Sequence, residues 1–452
     1  MTASLERLLD PIRAELRPTR EDEARLEAVR KGVAARLKRV VPASVEIAMM
    51  GSVAKGTALR HNNEIDVFLL IPRTYSAQKM ASSGMAWAKK AMTGCKTEVS
   101  YAQHPYLKAR IDGVKVDIVP AFKMEEGQEL GSAVDRSQLH TPWANARLDA
   151  KMRDDVRLLK QFMKALGVYG AQSRVEGFSG YLCELLVIHY GSFESVLRAG
   201  GAWRNPVLDP GKHHDIEKAR AMFPDAAMVV IDPVDPARNV AAVVSHTSLS
   251  RFALGAREFL KKPSRTAFFR EKEVHSAARL RAMIGARKTA TVALFMPAPA
   301  LVEDILWPQL RKTALALRSR LEKSDFRVFG HYFWSDGKRA VILFEVMEER
   351  LPAVVRRIGP PAWAGKDVEA FLSAHRSALN LHVEHERVVA VERREERTPK
   401  EALEAALRRS GRLGVPEPFA RALKKRRWGT ALDLLKDGQL REIASDYFSR
   451  QL

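Results

Sequence analysis

The spacing of apolar residues shifts along this chain, and each shift predicts a different kind of element. Residues 3–40 read as two helices, the second opened by Pro18-Thr19 with Glu21, Asp22 and Glu23 where a helix dipole favours acids. Strands then dominate to about 120. Glu64–Ile71 is short, apolar and bounded by Asn62-Asn63 and Pro72, the signature of a buried strand with Ile65 facing the core. Val114, Val116 and Ile118 alternate in a second strand that turns Lys115, Asp117 and Val119 to its other face. Asp112-Gly113 before it is a hairpin-turn pair.

From 150 to about 200 the period becomes helical, with Val156, Leu159, Met163 and Leu166 at core-facing spacing. After 288 the pattern predicts a strand over Thr289–Met296, a helix over roughly 308–324, strands around 326–334 and 339–347, and a helix near 350–358. That order suggests a ferredoxin-like or RNA-recognition-like sandwich. The aromatic signature of an RNA-recognition motif is absent. No internal repeat or low-complexity segment interrupts the chain.

The chemistry gathers around the first buried strand. On a strand i and i+2 share a face, so Glu64 and Asp66 point the same way, roughly 6.6 Å apart along the chain. Two carboxylates so placed can bracket metal ions about 3.5–4 Å apart. Just upstream, Gly51-Ser52-Val53-Ala54-Lys55-Gly56-Thr57 has what a triphosphate needs: glycines for close backbone approach, hydroxyls and backbone N–H groups for its oxygens, and the charge of Lys55. Gly-Ser alone would be a polar turn; with the acidic pair downstream it points to nucleotidyl transfer. Asp117, on a strand expected beside the first, completes a triad of carboxylates. Asp112 is turn chemistry and is not counted.

Composition narrows the partner. The 452 residues are enough for about three domains. A net charge of +21 favours a polyanion, because Lys and Arg on phosphates release condensed counterions. RNA is the natural candidate. Cys95 and Cys183 have no metal-ligand spacing and read as reduced core thiols. No apolar stretch approaches the roughly 18 residues of a membrane span, and the first residues lack the features of a signal peptide. The expectation is a cytoplasmic protein that does not engage a membrane.

The loop, the Glu-x-Asp strand and the later Asp resemble the nucleotidyltransferase superfamily that includes polymerase-beta-like enzymes. Glu98–Tyr106, Ser132–Arg136, Val156–Lys160, Gly177–Leu186 and Asp232–Ala242 narrow the likeness to the archaeal, class I CCA-adding enzymes, strongly over about 45–245 and more weakly beyond, through Gly359-Pro360-Pro361. The fold class expected is α+β multidomain. A nucleotidyltransferase palm with a mixed sheet would span 1–148, a mainly helical central domain 149–285, and an α+β and helical, tRNA-binding C-terminal region 286–452.

The resemblance implies template-independent addition of C, C and A to the 3′ end of tRNA from CTP and ATP, with Mg²⁺ held by Glu64, Asp66 and Asp117. It is compatible with a homodimer. It implies further that Ser52 and Lys55 contact the triphosphate, that His140, Lys160 and Tyr169 lie at the nucleotide, and that Arg238 contacts the base. Position 55 departs from the family's arginine, replacing a bidentate grip by a point charge.

Taken alone, these residues have plainer readings: a structural histidine, a solvated lysine, a packed tyrosine, and an arginine tied to Asp232 or Asp235 in a turn. Lys424, Lys425, Arg426 and Arg427, before Trp428, could grip tRNA phosphates or form an exposed helix face ahead of a core Trp. The competing functions are a poly(A) polymerase-like tailing enzyme, a catalytically inactive RNA-binding protein and a transferase acting on a small molecule. The small-molecule transferase explains neither the length nor the charge.

Overall fold

A computed structural model describes residues 3–60, 62–101, 105–124, 133–270, 273–408 and 413–449. Ala102, Gln103, His104 and Ser132 of the family segments lie outside the described residues. The chain divides into two compact units, residues 1–271 and 272–451.

The first unit begins with helices α1 (Ala3–Leu16) and α2 (Arg20–Lys38). Thr19 caps α2, its hydroxyl accepting from the Asp22 N–H while the Asp22 carboxylate accepts from the Thr19 N–H. Next come β1 (Glu46–Met50), the short α3 (Gly51–Ala54), β2 (Glu64–Ile71), α4 (Ala77–Ala91), β3 (Lys96–Tyr101), β4 (Pro105–Ile111) and β5 (Val114–Phe122). These five strands form one sheet in the order β1-β2-β5-β4-β3, mixed because β2 and β5 run parallel while the other neighbours are antiparallel. Asp112 and Gly113 have φ of 47° and 77°, the two positive angles of the tight hairpin that joins β4 to β5.

Alternation along β2 decides which face carries chemistry. Ile65, Val67, Leu69 and Ile71 pack with Val114, Val116 and Ile118 of β5 against α2 and α4. The opposite face is polar at Glu64 and Asp66, then apolar at Phe68 and Leu70, which join Met50 and Ala121 in a smaller core. The carboxylates therefore sit at the start of the strand, where the second core ends.

The rest of this unit comprises α5 (Ala133–Asn145), α6 (Ala150–Ala165), α7 (Gly180–Tyr190), α8 (Phe193–Gly200), β6 (Val207–Leu208), α9 (Ile216–Met222), β7 (Val229–Asp232), β8 (Asp235–Asn239) and α10 (His246–Lys261). Val156, Leu159 and Met163 are fully buried as their spacing predicts, in a core that also takes in Leu5, Leu9, Ile12 and Leu16 of α1. The Asp232–Ala242 run opens with a hairpin, β7 and β8, in a small sheet ordered β6-β7-β8.

In the second unit, α11 (Ala277–Ala286) precedes β9 (Ala290–Pro297), α12 (Glu303–Lys323), β10 (Val328–Ser335) and β11 (Arg339–Val346). A three-stranded insertion follows, made of β12 (Val354–Pro361), α13 (Gly365–Ala374), β13 (Asn380–Glu384) and β14 (Arg387–Arg393), with strand order β12-β14-β13. The chain then forms α14 (Pro399–Arg408), α15 (Glu417–Lys424), β15 (Arg427–Gly429), α16 (Ala431–Leu434) and α17 (Gly438–Phe448).

The main sheet is ordered β10-β11-β9-β15 with antiparallel neighbours. Numbered within the motif it reads 2-3-1-4, the ferredoxin-like order with the β12–β14 sheet inserted before the last strand. The helix expected near 350–358 is instead β12. Leu351, Val354, Val355 and Ile358 fall at helical spacing, but Gly359-Pro360-Pro361 ends any helix and the β-branched residues pair with β14.

Candidate active site

The loop between β1 and β2 is fitted to the strand it precedes. Met50 is the register partner of Asp66, and the chain then turns at Gly51 with φ of 76°. A Cβ on Gly51 would stand 1.7 Å from Asp66 Oδ2, so only glycine lets the backbone pass over that carboxylate. Ser52 follows on α3, half-buried.

Across the parallel pairing Asp66 lies opposite Asp117, and Glu64 is two residues earlier on the same face. All three are half-buried. Burial, followed by the charges of Glu64 and Asp117, pushes the Asp66 carboxyl up to about 6, against the pull of Lys55. Asp117 is likewise pushed up to about 6 by burial and then by Glu64, against Lys108 and Lys115. Like charges are thus gathered with too little positive charge among them.

Among the described residues no group of three or more His, Cys, Asp or Glu side chains is gathered closely enough to hold a metal ion. The set still fits a hard divalent cation: its donors are carboxylate oxygens, and such a cation commonly takes one or two carboxylates and completes its shell with substrate phosphates and water. Use of a divalent metal ion is general among nucleotidyltransferases, and this donor set suits it.

Beside the loop, two lysines share one buried carboxylate. Lys55 Nζ stands 2.5 Å from Glu184 Oε2, and Lys160 Nζ 3.2 Å from Glu184 Oε1. Thr57 donates its hydroxyl to Glu184 Oε1 at 2.6 Å, while Lys160 donates to the Thr57 carbonyl and hydroxyl oxygens, each at 3.1 Å. Thr57, a candidate for phosphate contact by sequence, is therefore fully buried and engaged elsewhere. Burial pushes the Glu184 carboxyl up, but Lys160, Lys55 and Thr57 outweigh it and hold it below its usual range. Burial lowers Lys160, with Glu184 opposing.

From Lys55 the contacts continue toward the hairpin. Its ammonium lies 5.1 Å from the centre of the Tyr181 ring, which stacks on His140 at 3.8 Å. His140 Nε2 is 2.9 Å from Asp232 Oδ2, and Arg238 donates from Nη1 to that same oxygen at 2.6 Å. Burial would raise Asp232, whose side chain is wholly enclosed, but the hydrogen bonds from His140 and Arg238 hold it below its usual range. Burial lowers His140 despite Asp232, which favours a neutral ring. Tyr169, also raised by burial, brings its hydroxyl within 3.1 Å of where a Cβ on Gly180 would sit, next to Lys160.

The structure thus brings Lys55, His140, Lys160 and Arg238 into one run of contacts and sets Asp117 beside Asp66. The turn reading of Arg238 holds at Asp232, to which it is paired, while Asp235 is taken by Arg136 at 2.6 Å. Glu184 and Tyr181 were not singled out by sequence, and Asp232 only as a partner of Arg238, although they connect the others. For Glu184 a signal existed: a single acid in the apolar helix Gly180–Tyr190 must find a partner when buried.

Lys424, Lys425, Arg426 and Arg427 belong to the second unit, from the end of α15 to the edge strand β15. Lys424, Lys425 and Arg427 are exposed; Trp428 packs on the core. Arg426 lies over the Trp428 ring at 5.2 Å and Arg427 over Phe295 at 4.1 Å.

Three family models match the chain: a nucleotidyltransferase domain over residues 28–140, the second domain of tRNA nucleotidyltransferase over 154–269, and the C-terminal domain of the CCA-adding enzyme over 287–416. The CCA-adding enzyme of Methanoregula boonei is 39% identical over 80% of this chain and 78% of its own length. That of Archaeoglobus fulgidus is 38% identical over 83% and 85%, and that of Methanosarcina acetivorans 35% identical over 81% of each.

Proposed function

The chain belongs to the family of CCA-adding enzymes, and from that premise we propose how its own residues add C, C and A in turn to the 3′ end of tRNA, from CTP and ATP and without a nucleic-acid template. The observation that carries the reading is the pairing of Asp66 with Asp117 under the backbone of Gly51. It joins a set of cation-binding carboxylates to a glycine-bearing loop in one surface.

In this reading Glu64, Asp66 and Asp117 hold Mg²⁺. Bound there, the metal supplies charge neutralisation at the α-phosphate and the departing pyrophosphate. Ser52 and the loop N–H groups receive the triphosphate oxygens, and Lys55 adds the positive charge that draws the β- and γ-phosphates in. Tyr169 and Lys160 wall the same side, and His140 offers a neutral ring nitrogen rather than a charge. The 3′ hydroxyl of tRNA gives up its proton to solvent as its oxygen attacks the α-phosphorus, the bond to the bridging oxygen breaks, and pyrophosphate leaves; positioning and charge stabilisation supply most of the acceleration.

Arg238 reads the base with a guanidinium whose direction Asp232 sets. Several N–H donors on one planar group suit acceptors on both cytosine and adenine. A pocket completed by the growing RNA end explains a change of nucleotide after two additions. The basic run Lys424–Arg427 supplies sequence-independent attraction for tRNA phosphates. We assign catalysis to 1–148, completion of the nucleotide pocket to 149–285 and tRNA binding to 286–452, acting in the cytoplasm. Purified protein given tRNA ending before CCA and one labelled triphosphate at a time tests this: C must enter twice, then A once.

A further inference from the structure

Outside the carboxylate triad, Glu184 is a heavily committed charged group of the first unit. It is 1% exposed, on α7, and three side chains converge on its two oxygens. Two lysines against one carboxylate leave a surplus positive charge inside the protein, next to the loop. The partners decide where that surplus is usable. Lys160 is fully buried, and its three N–H donors meet three acceptors: the Thr57 carbonyl, the Thr57 hydroxyl and Glu184 Oε1.

Lys55 is different. Its ammonium stands 2.5 Å from Glu184 Oε2 and gives that oxygen one N–H, which leaves two of its three donors beyond this contact. A lysine is a point charge on a flexible stem, and ordering that stem costs rotamer entropy when a ligand must do it. Here Glu184 has already done so, and Tyr181 covers the ammonium from another side.

We propose that Glu184 is a positioning residue for the incoming nucleoside triphosphate, anchoring Lys55 so that its uncommitted N–H donors serve the phosphates, while Thr57 and Lys160 lock the turn behind it. The proposal rests on the reading of this site as a nucleotidyltransferase. Because it acts on the phosphates, which CTP and ATP share, its loss affects both nucleotides equally.

The test uses the full chain and tRNA ending before CCA, with kcat and KM measured separately for CTP and ATP. Glu184→Gln is expected to raise KM about tenfold for both nucleotides, the effect of removing one charge-assisted hydrogen bond, with kcat within about threefold of the parent. Lys55→Met should do the same, and the double variant should be no worse than Lys55→Met alone. Should Glu184→Gln fail to fold, Glu184→Gln with Lys160→Met keeps the buried net charge unchanged and must still show the raised KM. An unchanged KM in a folded variant, an effect on one nucleotide only, or additive losses with Lys55→Met would overturn the proposal. If the parent protein itself adds no C, C and A, the functional reading fails first and independently.

Discussion

Charge is used in opposite ways at two places in the molecule, the candidate active site and the basic run Lys424–Arg427. In the first, ionisable groups are buried and tied to one another: Lys160, Glu184 and Asp232 are almost wholly enclosed, each with a partner, and Asp66 and Asp117 face each other with too little compensation. In the second, Lys424, Lys425 and Arg427 lie exposed along one short stretch, with Arg427 3.9 Å from Asp433. Buried charge is costly to arrange but fixed in direction and little screened by salt, as a small, precisely held ligand requires. Exposed charge is cheap and screened, and suits a long polyanion whose sequence is not read.

The sharpest way to break this contrast is to remove a carboxylate. Asp66→Asn or Asp117→Asn should lower kcat by ~10³-fold or more for both nucleotides, because groups acting as a unit fail together. Binding of tRNA, followed by fluorescence anisotropy, should stay within about twofold. A loss of tRNA binding that matched the loss of turnover would erase the distinction between the two kinds of charge.

The crowded acids also predict a stability effect of definite sign. The folded-state value of Asp66, about 6 against 3.8, means the native protein holds more protons than the unfolded chain between those values. This group's contribution therefore falls as pH rises through that window. In metal-free protein, Asp66→Asn should give no advantage near pH 4 and a gain of at most about 3 kcal/mol at pH 7, a little over two units at ~1.4 kcal/mol each. Chemical denaturation at both pH values with a chelator checks it. Added Mg²⁺ should shrink the gain, since a cation relieves the repulsion that the substitution removes.

Smaller effects follow further from the acids. Arg238→Ala should cut kcat/KM about tenfold, the size of a charge-assisted hydrogen bond, and unequally for CTP and ATP, in contrast to the equal effect expected at Glu184. Least of all, changing Lys424, Lys425 and Arg427 together to Ala should weaken tRNA binding a few-fold and reduce the salt slope by roughly one for each phosphate no longer neutralised. If the salt slope is unchanged, the exposed run is ordinary surface and the attraction for RNA lies elsewhere.

What sequence revealed and what it hid follow from the range over which each feature is decided. Glu64–Ile71 was legible to the residue because a short apolar run between Asn63 and Pro72 has one solution. Asp112-Gly113 was legible as a turn for the same local reason. The β12 strand was misread because its apolar residues also fit a helical period, and only pairing with β14 decides between the two.

The hairpin at Val229–Asn239 escaped notice because Pro233 and Pro236 interrupt so short a pair of strands. Glu184 and the link from Asp232 to His140 were hidden for a deeper reason. Each gains its meaning from partners distant in the chain, Lys55 and Thr57 for one and His140 for the other, so that no window of sequence contains the interaction.

The most direct test of the central claim is the product sequence itself. Purified protein, tRNA ending before CCA, and both triphosphates with Mg²⁺ should yield an end extended by C, then C, then A, and no further. A run of A alone, extension without a stop, or no incorporation under these conditions would contradict the account.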